Sequence, residues 1–222
     1  HEVFTSLQQV VSNNESAKKL SHNEQVSLRA LSNKCLDYLS VNADEDTRKL
    51  IVEYYYQALN MTNTLASFKS IIHADFPESS DVSQHFYQRW NDEELVVHKW
   101  HAVLASNNSD AVIGTIKELL EHESFDMKNP NSVRSLIGAF SANNMTQFHR
   151  KDGAGYKLLA DLIIELYPIN PQIAARLTGA FNRWKKFDEP RQEMMKLELN
   201  RILNAPDLVK DVYEIATKSL AH

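Results

Sequence analysis

The sequence predicts an all-α protein, specifically a right-handed α-solenoid of stacked antiparallel helix pairs of the HEAT or armadillo kind. Turn-forming residues are scarce, with five Gly and six Pro among 222 residues, so few changes of direction and long helices are favoured. Capping residues followed by apolar residues at helical spacing recur along the chain, and no strand alternation competes with them. One segment also repeats after 41 residues, a spacing typical of stacked helix pairs.

The predicted helices follow in chain order from their caps. Ser21 and Glu24 form a capping box before the first apolar run. Asp44 or Asp46 begins the second helix, and Thr62 begins the third. Later helix starts lie at Asn91, Ser109, Asn129-Pro130, Asn170-Pro171, Asp188 and Pro206-Asp207. These segments predict one α-helical repeat domain over residues 1–222.

The repeat is the clearest organisational feature. Segment 129–140 contains Asn-Pro, then Leu, then Gly-Ala-Phe, and segment 170–181 has the same six residues in register. A chance echo between two helix starts is the alternative, but six identities favour a repeat. The small residues at Gly138 and Gly179 predict close helix–helix contacts, whereas Gly153-Ala154-Gly155 predicts a flexible loop.

Charge and cysteine content exclude several classes of protein. The formal net charge is −5, which provides no basic face for a nucleic-acid partner. The single cysteine, Cys35, lies among apolar residues, so an inert packed thiol in a reducing compartment is expected. No apolar run approaches the ~20 residues of a membrane span, and the start lacks a signal-peptide core. We therefore expect a cytoplasmic protein without a membrane partner.

The residues alone predict no catalytic or metal site. A zinc hydrolase motif, His-Glu-x-x-His, is absent. His98 and His101 have a spacing that permits metal ligation, but no third ligand follows, so an ordinary histidine pair is favoured. His149 stands beside Arg150 and Asp152, and a polar loop is favoured there over acid–base chemistry.

One polar pattern is consistent with ligand binding. Gln172 and Arg176 are four residues apart near a helix start, so both project from one face. Arg134 occupies the comparable helix of the preceding repeat, displaced by one residue. Arginines on one face of a stack can hold a peptide carboxylate through paired hydrogen bonds. The alternative is that each arginine pairs with a neighbouring Asp or Glu, and spacing alone favours this alternative.

Several longer strings match a family. The strings are Asn129-Pro-Asn-Ser-Val-Arg134, Phe148-His149, Asp152-Gly153-x-Gly155-Tyr156, Asn170-Pro-Gln172-Ile-Ala-Ala-Arg176 and Phe187-Asp188-x-x-Arg191-Gln192. With them the chain resembles the C-terminal domain of bacterial aminopeptidase N, from about Leu28 to the C-terminus and most strongly between Phe125 and Gln192.

The resemblance implies the C-terminal domain of a longer, multidomain zinc aminopeptidase, which removes N-terminal residues from peptides. The zinc would belong to a catalytic domain elsewhere in the parent chain, so this chain would hold no cofactor and be inactive alone. Its partners would be that catalytic domain, whose cleft it caps, and peptide substrates. The alternative is a free-standing helical-repeat scaffold that binds a protein partner.

The resemblance also bears on the polar pattern. Arg176 and Gln172 resemble residues that face the substrate chamber near its leaving side, and Arg134 resembles an arginine of the chamber wall. It therefore implies that all three are substrate-binding residues.

Overall fold

The computed structural model describes residues 21–221, and every regular element in that range is a helix. The all-α prediction is therefore confirmed. The chain divides into two compact units, one ending at Trp90 and one beginning at Asn91, and each is described by itself. A single repeat domain over residues 1–222 stays a prediction, as does the handedness of the stack.

The first unit is built around one central helix. Its helices are His22–Ser40, Glu45–Gln57, Met61–His73 and Ser79–Trp90. The third of these packs against the other three, and Phe68 on it stacks on Phe86 with ring centroids 4.5 Å apart. Cys35 is buried in this unit, and burial raises the pKa of its thiol, as expected of an inert packed cysteine.

Local caps fix the helix starts of the first unit. The backbone N–H of Ser21 donates to the Glu24 carboxylate at 2.9 Å, as the predicted capping box requires. Asp44 caps the second helix through a hydrogen bond of 2.8 Å. The prediction for the third helix was wrong by two residues, because Asn60 and not Thr62 is its N-cap.

The second unit contains nine α-helices among its described residues. They are Glu94–Ala105, Val112–Leu120, Pro130–Val133, Ala139–Asn143, Met145–Phe148, Ala154–Leu166, Pro171–Thr178, Glu189–Leu203 and Lys210–Ala221. The Ala154–Leu166 helix packs against the two helices that follow it, and the last helix packs on the same two. Phe148 and Tyr156 meet edge to face in this core, with ring centroids 5.3 Å apart.

The predicted helix starts at Asn129-Pro130, Asn170-Pro171 and Asp188 are confirmed in the second unit. The other three helices begin later than predicted, at Glu94, Val112 and Lys210. Asp207, three residues before the last helix, has a positive φ of 51°, which is not a right-handed helical conformation.

The two copies of the repeat begin alike and end differently. Asn129 and Asn170 each cap their helix with the side-chain oxygen, and a proline follows in both. The first copy then continues through a π-helical turn, Arg134–Gly138, whereas the second ends in a 3₁₀ turn, Gly179–Phe181. The predicted close helix contacts at the repeat glycines are wrong. A Cβ on Gly138 would meet its nearest neighbour at 3.8 Å and one on Gly179 at 3.6 Å, which are ordinary packing distances.

Close approaches occur instead at Gly153, to a side chain, and at Gly155, to the backbone, where a flexible loop was expected. Gly153 has a φ of +70°, and a Cβ there would lie 2.6 Å from the sulfur of Met194. Gly155 lies in the first turn of the Ala154–Leu166 helix, and its Cβ would lie 2.4 Å from the carbonyl oxygen of Phe148. Both glycines are buried, so they serve close packing.

Candidate functional site

The helix Pro171–Thr178 presents the pair Gln172 and Arg176. Its side chains at Ile173 and Leu177 are buried in the second unit and fix which face points inward. Gln172 and Arg176 are both exposed on the opposite side, one turn apart. The cap and proline at the helix start, and the apolar contacts along it, hold the backbone beneath this pair.

Neither side chain of the pair is engaged within residues 21–221. In that range, the structure gives no hydrogen bond, ion pair or aromatic contact to Gln172 or to Arg176. Arg176 therefore does not pair with a described Asp or Glu, which was the alternative favoured by spacing. The surrounding sequence is also cationic. Residues 166–187 contain four Lys or Arg and no carboxylate, within a chain whose net charge is −5. An approaching carboxylate would therefore meet an available guanidinium in a locally positive segment.

Arg134 lies on a different element from the pair. It is exposed at the start of the π-helical turn, and its Nη1 donates to the side-chain oxygen of Asn131 at 3.2 Å. The turn packs mainly on the Glu94–Ala105 helix, and no described hydrogen bond joins Arg134 to Gln172 or Arg176. The structure thus brings two of the three predicted residues together and leaves the third on a separate helix.

A buried histidine supports the π-helical turn. His101 is fully buried, and its Nε2 lies 3.0 Å from the hydroxyl oxygen of Ser124. Its Nδ1 lies 3.4 Å from the hydroxyl of Ser135, which belongs to the turn and donates to the carbonyl of Ser132. Burial, reinforced by two neighbouring histidines, lowers the pKa of His101 to about 4. Its imidazole is therefore neutral at physiological pH and bonded to hydroxyl groups. Among residues 21–221, no three His, Cys, Asp or Glu side chains are grouped as a metal site.

His149 belongs to a second buried polar cluster. Its Nδ1 lies 2.8 Å from the hydroxyl of Tyr156, its ring stacks on Phe187 at 4.1 Å, and its carbonyl accepts a hydrogen bond of 2.7 Å from Arg191 Nε. Burial and, to a lesser extent, the charge of Arg191 lower the pKa of His149 to about 4, and burial raises that of Tyr156 to about 12. The neutral imidazole and the tyrosine hydroxyl share a hydrogen bond, and the pair is a packing element here.

Residues 149–153 form a turn with no helix, as the favoured polar-loop interpretation expects, but His149 itself is buried and bonded on several sides. Sequence reasoning also missed Tyr156 and Arg191 as its partners. Arg191 lies 42 residues from His149 along the chain, so no local pattern links the two. The only available signal was the presence of Tyr156 and Arg191 in the strings that resemble the aminopeptidase family.

Nearly the whole sequence matches one protein family. The family is described as a domain of unknown function, DUF3458_C, with ARM repeats, and it matches residues 1–221. The chain belongs to this family. The ARM-repeat description of the DUF3458_C family agrees with the armadillo-like stacking of helix pairs that the sequence predicts.

Similar proteins include aminopeptidases. Aminopeptidase N of Escherichia coli K12 is 36% identical over 209 residues, which cover 94% of this chain and 24% of that protein. Aminopeptidase N of Haemophilus influenzae is 37% identical over 197 residues, covering 89% of this chain and 22% of that protein. A crystal structure of Legionella pneumophila aminopeptidase A in complex with aspartic acid superposes with a TM-score of 0.90 at 32% identity. The superposed region covers 99% of this chain and 27% of the Legionella pneumophila chain.

This DUF3458_C chain thus spans about a quarter of the length of these relatives. The chain is homologous to the C-terminal region of aminopeptidase N. No described helix is long and apolar enough to cross a membrane.

Proposed function

We propose that this chain is the C-terminal, non-catalytic domain of a zinc aminopeptidase, where it caps the catalytic cleft and lines the substrate chamber. The names of its relatives and its coverage of about a quarter of their length support a role within a larger hydrolase. The zinc and the residues that hold it would lie in the part of the parent enzyme outside this sequence, because His-Glu-x-x-His is absent here. A cytoplasmic location remains a prediction that rests on the single buried cysteine.

The observation that carries the substrate role is the exposed guanidinium of Arg176, which has no partner among the described residues on a helix fixed by its buried face. A guanidinium is always charged and offers a planar pair of N–H donors to a carboxylate. We propose that Arg176 takes the C-terminal carboxylate of a short peptide. Gln172, one turn earlier, would bond the peptide backbone, because an amide side chain can both donate and accept. Arg134 would contact the peptide from a second element.

These residues would bind and orient the peptide and would transfer no proton. Binding through remote parts of a substrate raises kcat/KM when it fixes the scissile bond against the catalytic groups. Substrates without a C-terminal carboxylate would gain nothing from Arg176. An aminoacyl arylamide is such a substrate, which makes it the reference for an experiment on the full-length enzyme.

In that enzyme, Arg176→Ala should lower kcat/KM for tripeptides and tetrapeptides by roughly 10-fold, or about 1.4 kcal/mol of lost transition-state binding. Arylamide hydrolysis should change by less than about twofold, since the reacting bond is unaffected. Arg176→Lys should recover only part of the loss, because a point charge lacks the planar fork. Lys186→Ala is the matched control, since it removes another exposed cation of the same segment. Equal losses on both substrates would assign Arg176 a structural role and overturn the proposal.

A further inference from the structure

An open hollow of about 380 Å³ lies in the second unit, away from the Pro171–Thr178 helix in sequence. Its lining includes Asp110, Thr146, Arg150, Lys151, Asp152 and Arg191. We propose that this hollow binds inorganic phosphate. This site is separate from the residues proposed to contact the peptide, and a phosphate-binding measurement tests it without any assay of peptidase activity.

Arg150 is held in place through its inner nitrogens. Its Nε donates to both carboxylate oxygens of Asp152, at 2.8 and 3.0 Å. Its Nη1 reaches the side-chain oxygen of Gln147 at 3.3 Å and the carbonyl of Asp110 at 3.4 Å. The outer nitrogen, Nη2, has no acceptor within the described chain. A guanidinium fixed this way loses little side-chain entropy when it binds an anion.

Arg191, which also lines the hollow, is held in the same manner. Its Nε donates to the carbonyl of His149 at 2.7 Å. Its Nη1 donates a hydrogen bond to the Asp188 carboxylate and forms an ion pair with it. Its Nη2 likewise has no acceptor among residues 21–221. The side chains of Arg150 and Arg191 are only 28% and 22% exposed, so both are anchored and partly desolvated. Partial desolvation strengthens the attraction of each guanidinium for an anion.

The remaining groups favour an anion with several acceptor oxygens. Lys151 and Thr146 are exposed and have no described partner, so they add an ammonium and a hydroxyl donor. The two acidic side chains are already engaged, Asp152 by Arg150 and by the backbone N–H of Ala154 at 3.1 Å, and Asp110 by Gln147. The uncommitted groups are thus donors on four side chains. Phosphate presents oxygens in tetrahedral directions and suits such a set better than a planar carboxylate.

The test is isothermal titration of the 222-residue chain with inorganic phosphate at neutral pH and constant ionic strength. We expect saturable binding of one phosphate, with a Kd on the order of 1 mM. Lys151→Ala should weaken binding about threefold, as loss of an exposed charge contact does, and Thr146→Val should weaken it less. Lys186→Ala, which removes an exposed lysine outside the hollow, should leave the Kd unchanged.

One further measurement, a titration with malonate, makes the outcome decisive. Phosphate also stabilises proteins by exclusion from their surface, but that effect does not saturate and would be equal in all variants. Titration with malonate should give weaker binding than phosphate. Absence of saturable heat, or equal Kd values in the parent chain, Lys151→Ala and Lys186→Ala, would overturn the site. Tighter binding of malonate than of phosphate would overturn the assignment of the ligand.

Discussion

Replacing Gly155 by alanine should destabilise the second unit by about 3 kcal/mol, the upper end of the usual cost of overpacking. The residue is buried in the first turn of the Ala154–Leu166 helix. A Cβ there would lie 2.4 Å from the carbonyl oxygen of Phe148, 2.8 Å from its Cα and 2.8 Å from the carbonyl oxygen of Gln147. All three are backbone atoms, so relief requires the chain itself to shift.

Gly114→Ala is the matched control. Gly114 is also helical, within Val112–Leu120, but it is exposed and a Cβ there would have no neighbour within 4 Å. Alanine loses less backbone entropy on folding than glycine, so this substitution should stabilise the chain by about 0.5–1 kcal/mol. The same added methyl group is therefore expected to have opposite effects at Gly155 and Gly114.

Urea denaturation monitored by circular dichroism, with the m-value checked for each variant, measures both changes. In a thermal scan, the loss at Gly155 corresponds to a fall in Tm of roughly 6–12 °C for a chain of this size. If Gly155→Ala unfolds within about 0.5 kcal/mol of the parent while Gly114→Ala is stabilising, the close backbone approach has no energetic consequence and the reasoning fails.

Two further predictions concern pH and catalysis. The free energy of unfolding should increase from about pH 4 to pH 6.5. In the folded chain, burial is the main cause that lowers the pKa values of His101 and His149 to about 4. In the unfolded chain these histidines bind protons near pH 6.5, so protonation at lower pH favours unfolding. Urea titrations across this range should show a shallower pH slope in His149→Gln, and an unchanged slope would contradict the assignment. The 222-residue chain alone should hydrolyse no aminoacyl arylamide, because it lacks His-Glu-x-x-His; turnover abolished by a chelator would show an overlooked site.

Helix starts were predictable from sequence where one residue decides them. Asn170 and Asp188 cap their helices with side chains that bond a backbone N–H three residues ahead, so all the information is local. The helix expected from Asn91 begins three residues later, at Glu94, because a capping residue type alone does not commit the chain to a helix.

The glycines show where local information ends. The sequence predicts a close helix contact at Gly138 and a flexible loop at Gly155, yet a Cβ would be accommodated at the first and would collide with backbone at the second. The difference depends on which segment lies opposite, and that is fixed by tertiary packing. The same limit applies to the repeat, whose two copies share six residues but continue as a π-helical turn and a 3₁₀ turn.

The availability of an arginine has the same long-range origin. Arg201 bonds Asp161, 40 residues away, and Arg191 bonds the carbonyl of His149, 42 residues away, so neither could be recognised as engaged from sequence. Arg176 could not be recognised as available for the same reason, and spacing alone favoured an acidic partner for it. In the structure, all three guanidinium nitrogens of Arg201 are engaged and only Nη2 of Arg191 is not, whereas Arg176 has no hydrogen bond or ion pair among the described residues. An exposed guanidinium without a hydrogen bond or ion pair among the described residues is available to a carboxylate, and this availability, more than the helical spacing, is the physical argument for testing Arg176 first.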